Sequence, residues 1–541
     1  MDVLRKYLII FIGWIMTWLK GLFRQLLGAL PALDNSLAST SLTGRGPRQC
    51  ASVEWKTNEA LRTYHLGDAN ETKVTVQTST HTFYVDLQRL SESSEYFRAV
   101  SQSRMKETTE RLIHLEHVPS SVFHNFLEFT FNGNFKVSHE ELGPNIQVSC
   151  YLLAEAFLSK CLSVLAEELS SSDCLSYLSL AQETCCAELR MTVLTVLSRN
   201  LLEVPHVIRF LNHEDKRDVI NLRTCGEPHL CNLRKENLTS WSDPETESAR
   251  CIFSLKGPES RKDWQRVTEL PFKADKWCFT TVVLFNYLFL IGGHRQQKKR
   301  DWEFTKVSFR YNPLNHSWMF ISPMIKHRRH FSAVDCEGCI YAVGGWYLDS
   351  LVTPDSSTAL YTAVECYDPW QDSWRFVSSL PFTDFRFTVS LSHDVPLATS
   401  LKHCIYVLGS IQRTGEKLFL QYNTKQDLWC ELLPTLTRAD AELSTLYFLG
   451  ATDKLVVVGG NNSGNLVTSF CVESKKWGQI RRADKVTYAG QGTLINDQLL
   501  MPSTEHNTVI QMDLQTLTIT PLPPLPVSTC YDASFHLYYR Y

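Results

Sequence analysis

A short apolar strand closed by two glycines keeps returning in the second half of this chain, and that repeat constrains the fold more than any other feature. Cys339-Ile340-Tyr341-Ala342-Val343-Gly344-Gly345-Trp346 is the fullest copy. Ile291-Gly292-Gly293, Val407-Leu408-Gly409-Ser410 and Val458-Gly459-Gly460 are the others. Each is followed by a strand running from an aromatic residue to a tryptophan: Tyr311 to Trp318, Tyr367 to Trp374, Tyr422 to Trp429, Phe470 to Trp477. Successive tryptophans lie roughly 50 residues apart, the period of a four-stranded propeller blade. One such sheet cannot bury both of its faces, so the units must stack radially and close on themselves. The glycines permit positive φ and close backbone approach near the axis, and the tryptophans are expected to pack between neighbouring blades.

Trp264, Trp318, Trp374, Trp429 and Trp477 mark five outer-strand ends. Leu499-Leu500-Met501 with Ile510-Gln511-Met512-Asp513 makes a sixth unit without the glycines. Six blades are therefore predicted, and the weak third and fifth units leave five or seven as alternatives. Only Cys251-Ile252-Phe253-Ser254-Leu255 precedes the Trp264 unit, so its missing inner strands are expected from Ala533 to Tyr541, which would lock the ring.

A length of 541 residues with 44% hydrophobic composition suits several folded domains. The formal net charge of only -3 argues against a nucleic-acid-binding face. An odd count of 17 cysteines, scattered and without a cleavable secretory pattern, points to reduced thiols in a cytosolic setting. Cys336-Glu337-Gly338-Cys339 has the spacing of half a zinc site or a redox motif. It enters the Gly344-Gly345 strand with no second pair nearby, so a hairpin turn is the plainer reading. No nucleophile elbow, His-Glu-x-x-His or phosphate-cradling loop is present in the sequence. The expectation is a binding protein, not an enzyme, with no cofactor and no metal.

Residues 1–33 differ from the rest. From Tyr7 to Leu19 the chain is almost purely apolar, with Arg5 and Lys6 before it and Lys20 and Arg24 after. As a helix that run covers roughly 20 Å, short of the roughly 30 Å hydrocarbon core. It reads as a short signal anchor, as an interfacial helix carrying Trp14, Trp18 and Phe23, or as an amphipathic partner-binding segment. Membrane association is the preferred reading, with the folded domains facing the cytosol. Residues 34–70, rich in Ser, Thr, Gly and Arg, read as a linker.

From Lys73 the pattern changes to Val74-Thr75-Val76, a turn and Phe83-Tyr84-Val85, a β-hairpin, followed by helical periodicity. Ser91 to Ala99 with Met105-Lys106-Glu107 resembles the BTB (POZ) domain, whose members carry a similar S-x-Y-F-R-A run followed by M-K-E. Leu112-Ile113-His114-Leu115 and the stretch from Val122 to Gly133 are similar to that domain's next strand, helix and Y-T-G-like turn. Asp173-Cys174-Leu175 with Leu178, Leu189 and Val193 resembles the start of a BACK helical region, here short. The resemblance is to the BTB-BACK-Kelch family. It implies a multidomain α+β chain: an α/β BTB domain over residues 71–170, a short α-helical BACK region over 171–238, a linker at 239–250 and an all-β six-bladed Kelch propeller over 251–541.

The family resemblance also implies a function: a substrate-recognition adaptor of a cullin-3 ubiquitin ligase, with the BTB domain forming a homodimer and the propeller capturing a protein. Met105 and Glu107 fall at the family's cullin-contacting positions. Ser101 stands where relatives place a bulky apolar residue, which favours an alternative: a non-catalytic cytoskeletal or membrane-associated scaffold that does not bind cullin. Relatives carry an acid and a histidine where this chain has Lys73 and Asp86, so a swapped ion pair at the dimer interface is expected. Arg328 aligns with a substrate-facing arginine. Arg295, Trp346 and Tyr347 follow glycine doublets, where they would engage an acidic or phosphorylated target.

Overall fold

The computed structural model describes residues 61–64, 73–103, 109–235, 249–256, 263–272, 276–277, 279–298, 301–304, 306–328, 330–345, 362–382, 385–387, 397–411, 414, 417–433, 444–451, 453–461, 464–487, 490–529 and 531–540. They fall into two compact units. The first runs up to Leu197 and takes in His206–Asn212; the second comprises Ser198–Pro205 and His213–Tyr541.

The first unit opens on the expected hairpin. Lys73–Thr78 pairs antiparallel with Thr82–Asp86, and Leu61–Tyr64 and Leu112–Leu115 add parallel strands on either side. Alternation along Lys73–Thr78 buries Val74, Val76 and Thr78 and leaves the intervening positions more exposed, the period-two signature of a half-buried strand. The helices Leu87–Ser93, Glu95–Gln102, Ser120–Asn132, His139–Tyr151 and Glu155–Glu168 follow. Val76, Val85, Phe97, Phe123, Phe126 and Ile146 form a solvent-free core here. Phe123 meets Phe83 edge-on at 5.3 Å between ring centres. Helix Ser120–Asn132 stops at Gly133, whose φ of 68° lets its N–H and that of Asn134 cap the last carbonyls. Further helices, Cys174–Glu183 and Ala187–Arg199, come next.

The second unit is a six-bladed β-propeller. Its inner strands are Thr280–Leu284, Ser332–Cys336, Ala398–Leu401, Ser444–Ala451, Thr493–Ile495 and Asp532–Tyr539. Each contacts the next in that order, and the last returns to the first, so the ring is closed. The blades are built on antiparallel strands, most of them as a simple meander such as Ser332–Cys336, Cys339–Val343, Val364–Asp368 and Ser373–Val377.

The closing blade combines both ends of this unit. Asp532–Tyr539 pairs antiparallel with Glu227–Arg234 in an eight-residue register, from Asp532 opposite Arg234 to Tyr539 opposite Glu227. The C-terminal strand thus supplies the innermost position, as expected, but only that one. The second strand comes from residues 227–234, which the sequence pattern places in the helical region. The propeller sheet therefore begins before residue 251. The difference has a physical reason: Glu227-Pro228-His229 is polar, and the strand has no apolar alternation because six of its eight residues are buried.

Four of the tryptophans stitch blade to blade through an indole N–H that reaches the preceding blade, whereas the buried indole nitrogen of Trp477 makes no such bond. Trp374 donates to the Ser322 carbonyl at 2.9 Å, Trp429 to that of Ser378 at 2.8 Å, and Trp264 to that of Pro523 at 2.9 Å. Trp318 donates to the Thr268 hydroxyl at 3.3 Å. A second stitch runs beside the first. Tyr367 donates to Asp372, which accepts from the Ser322 amide; Tyr422 donates to Asp427, which accepts from the Ser378 amide. Asp372 and Asp427 sit at φ of 47° and 51° in the hairpin turns, a region Asp visits more readily than most residues.

The C-x-x-C motif is a hairpin. Cys336 and Cys339 are register partners across a two-residue turn in which Glu337 and Gly338 both have positive φ, the type I′ geometry that matches strand twist. Burial pushes the Cys336 thiol up to about 12, which keeps it protonated and poorly nucleophilic.

Candidate recognition surfaces

Alternating strand direction divides the propeller's connections between two faces. One carries the loops between the second and third strands of a blade and those leading into the next blade. The other carries the tight turns between first and second strands. Arg328 lies on the first face, in the connection preceding Ser332–Cys336, where the family resemblance expects it to meet a target. The structure buries it completely. Its Nε donates to Glu365 Oε1 at 3.0 Å, and its Nη1 donates to the Gly344 carbonyl at 3.0 Å. Glu365, also buried, accepts from the Ile325 amide at 2.7 Å and the Lys326 amide at 3.3 Å.

Arg328 is thus a loop-forming residue, and its guanidinium is not displayed to a partner. Burying a charge is tolerable only when it is paired and its remaining hydrogen-bonding groups are satisfied, and Glu365 meets that need. The glycine doublets take part. The Arg328 carbonyl accepts from the Gly293 amide. A Cβ on Gly292, at φ of 63°, would lie 2.7 Å from Met324 and 3.0 Å from the Phe331 ring. Gly344 and Gly345 share the left-handed turn, whereas the strand Lys454–Asn461 continues straight through Gly459 and Gly460.

Arg295 lies in the strand His294–Lys298, which pairs with Asp301–Phe304 and Lys276–Trp277 in a small extra sheet rooted at the first doublet. Its register partners are Glu303 and Lys276. Trp346 and Tyr347 lie outside the described residues, as do Met105 and Glu107.

In the first unit Lys73 and Asp86 are direct partners across the hairpin. Asp86 also caps helix Leu87–Ser93, its carboxylate accepting from the Gln88 amide at 2.9 Å. Ser101, near the end of helix Glu95–Gln102, turns its hydroxyl back onto the Arg98 carbonyl at 2.8 Å. It adds no apolar surface there.

One functional anchor, Arg223, has no counterpart among the residues singled out from sequence. It follows helix His213–Leu222 and is fully buried, donating to the carbonyls of Phe285, Ser198, Arg199 and Asn286 and to Asn312 Oδ1. Its guanidinium stacks 3.8 Å from the centre of the Tyr287 ring. Tyr287 in turn donates to Glu203 at 2.6 Å, and Arg310 pairs with Glu203 and donates to the Leu202 carbonyl. This buried polar cluster fastens Ser198–Pro205 and the last helix to the first blade. Burial draws the Arg223 pKa down to about 10, still charged at neutral pH. No local motif marks it, because its acceptors are carbonyls brought together by folding.

Two module families match the chain. The BTB/POZ domain matches residues 67–169 and the Kelch motif matches residues 327–381. Human Kelch repeat and BTB domain-containing protein 2 is 22% identical over 475 residues, 71% of this chain and 71% of that protein. Mouse Kelch domain-containing protein 7A is 27% identical over 271 residues, 49% of this chain but only 30% of its own length. Mouse Kelch-like protein 36 is 26% identical over 179 residues, which spans 32% of this chain and 26% of that protein. A BTB/POZ domain followed by a Kelch propeller defines a class of protein-interaction modules. The chain carries both modules that the names of these relatives print, a BTB/POZ domain and Kelch repeats.

Proposed function

We propose that this protein is a substrate-recognition adaptor of a cullin-3 RING ubiquitin ligase. Its BTB domain dimerises and docks the cullin, and its propeller holds the protein to be modified. The supporting observation is that one chain joins a BTB/POZ unit to a closed six-bladed ring. Bond chemistry in such an assembly belongs to the partner enzymes. Met105 and Glu107 form the proposed cullin contact, an apolar anchor with a carboxylate beside it. Lys73 and Asp86 shape the hairpin proposed to face the second protomer, and the helices between Cys174 and Leu222 supply a shortened BACK hinge. Arg295, Trp346 and Tyr347 are the proposed target contacts, suited to an acidic or phosphorylated segment; Arg328, in the loop preceding Ser332–Cys336, pairs with Glu365.

Among the described residues no helix is long and apolar enough to cross a membrane. Residues 1–33 lie outside them, and membrane contact through that segment, with the domains facing the cytosol, is part of the proposal. A scaffold that does not bind cullin is the second reading. It is favoured by Ser101, whose hydroxyl serves its own helix where an apolar side chain would add buried area worth roughly 1.5–3 kcal/mol.

The test compares cells expressing wild type with cells expressing Glu107→Lys and follows ubiquitin linkage on every captured protein. An adaptor yields captured proteins whose ubiquitin linkage falls in the variant while capture persists. Equal linkage in both, with capture intact, supports the scaffold.

A further inference from the structure

The propeller's central channel opens on the turn-bearing face into a cavity of about 410 Å³, lined in part by Asn221, Phe285, Asp335, His536 and Tyr538. It lies on the face opposite the loops proposed to meet the target. Asp335 and His536 also line the channel behind it. Both belong to inner strands, and the strand period sets their direction: along Asp532–Tyr539, Phe535, Leu537 and Tyr539 are buried while His536 and Tyr538 are partly exposed.

Three polar groups here have no side-chain partner among the described residues: the Asp335 carboxylate, the His536 imidazole and the Tyr538 hydroxyl. All three are open to solvent to some degree, so they are free to meet a bound molecule. Water reaches Asp335 along the channel, yet the protein around it raises its pKa. Burial lowers that of His536 to about 4, so the imidazole is neutral near pH 7 and offers a lone pair. An anion would meet a carboxylate with no compensating cation. A metal ion would find too few donors, since among the described residues no group of three or more His, Cys, Asp or Glu side chains is placed to hold one.

Aromatic walls complete the cavity. Phe285 occupies a turn at φ of 50°, which bulky side chains seldom adopt. Its ring packs tilted against that of Trp370, 5.5 Å between centres, and would lie 3.1 Å from a Cβ on Gly338, so a side chain there would crowd it. Tyr538 stands on another wall of the same cavity. One carboxylate, neutral acceptors and aromatic faces are the elements that recognise an alkylated ammonium group. We propose that this channel mouth binds an organic ammonium ion, with Asp335 as counter-ion and Phe285 and Tyr538 as aromatic walls.

The test is calorimetric titration of the full chain with choline, with a trimethyl-lysine peptide and with n-butanol as the uncharged control. Saturable one-to-one binding of an ammonium probe is expected, absent with n-butanol. Asp335→Asn should weaken it at least about tenfold, Phe285→Leu should weaken it less, and Glu337→Gln, in the adjacent turn, should leave it unchanged. Tighter binding of choline indicates a free small amine; tighter binding of the peptide indicates a partner's lysine. The absence of saturable binding at millimolar concentration, or equal affinity in a folded Asp335→Asn protein, overturns the proposal.

Discussion

Arg328 and Glu365 lie 3.0 Å apart with both side chains wholly excluded from solvent, and the pair holds the connection between the first two Kelch blades in place. Glu365 also collects the Ile325 and Lys326 amides, so it organises this turn from within. Removing one partner leaves an uncompensated buried charge, which costs about 3–5 kcal/mol. Glu365→Gln and Arg328→Met should each lower the thermal midpoint of the propeller sharply. The paired change Arg328→Met with Glu365→Leu should recover part of the loss. A double variant as unstable as the worse single one would contradict this reading.

Arg223 predicts a local effect. Arg223→Met strands several buried carbonyls, each costing about 1–3 kcal/mol when left unsatisfied. Hydrogen exchange should quicken at residues 198–205 and at the turn containing Phe285 and Asn286, while distant blades keep their protection. Uniform acceleration across the propeller would show that Arg223 supports the whole ring.

His536 sets a pH dependence. Burial depresses its pKa from 6.5 to about 4, so between those values the unfolded chain binds more protons than the folded one. Stability from this group is full above pH 6.5 and is lost as pH falls towards 4. Asp335 has the opposite sign: its raised pKa makes folding bind the proton more tightly, which destabilises the ionised form above the usual Asp range. Melting profiles should therefore show His536→Gln losing less stability than wild type on acidification. Asp335→Asn should melt at or above wild type at pH 7.

The C-terminal strand predicts a cooperative failure. Deleting residues 532–541 removes the inner strand of the closing blade and the long pairing with Glu227–Arg234, exposing sheet edges that attract other chains. The truncated protein should aggregate or lose the near-ultraviolet signal of its packed tryptophans. A monomeric truncation with intact dichroism would mean that the ring does not depend on that strand.

What can be read from sequence is what repeats. The Tyr-to-Trp spacing marks the outer strands because each blade solves the same packing problem, and Tyr367 with Trp374 or Tyr422 with Trp429 solves it alike, with ring centres 5.1 and 5.0 Å apart. The hairpin at Lys73 and the cap at Gly133 are legible because local chemistry dictates them. Arg328 reads wrongly as an exposed contact because its partner, Glu365, lies in a different strand, and similarity to relatives shows position but not burial. Arg223 carries no signal at all, since all but one of its acceptors are backbone carbonyls. The strand Glu227–Arg234 is hidden because its pairing partner is at the far end of the chain.

The central claim is best tested by direct binding of the purified amino-terminal domain of cullin-3 to the full-length protein, followed by calorimetry. The adaptor account predicts saturable association with one cullin per BTB protomer, abolished by Glu107→Lys and weakened by Met105→Ala, with the propeller's melting temperature unchanged in both. No association of folded wild-type protein, or association indifferent to Glu107→Lys, would contradict it.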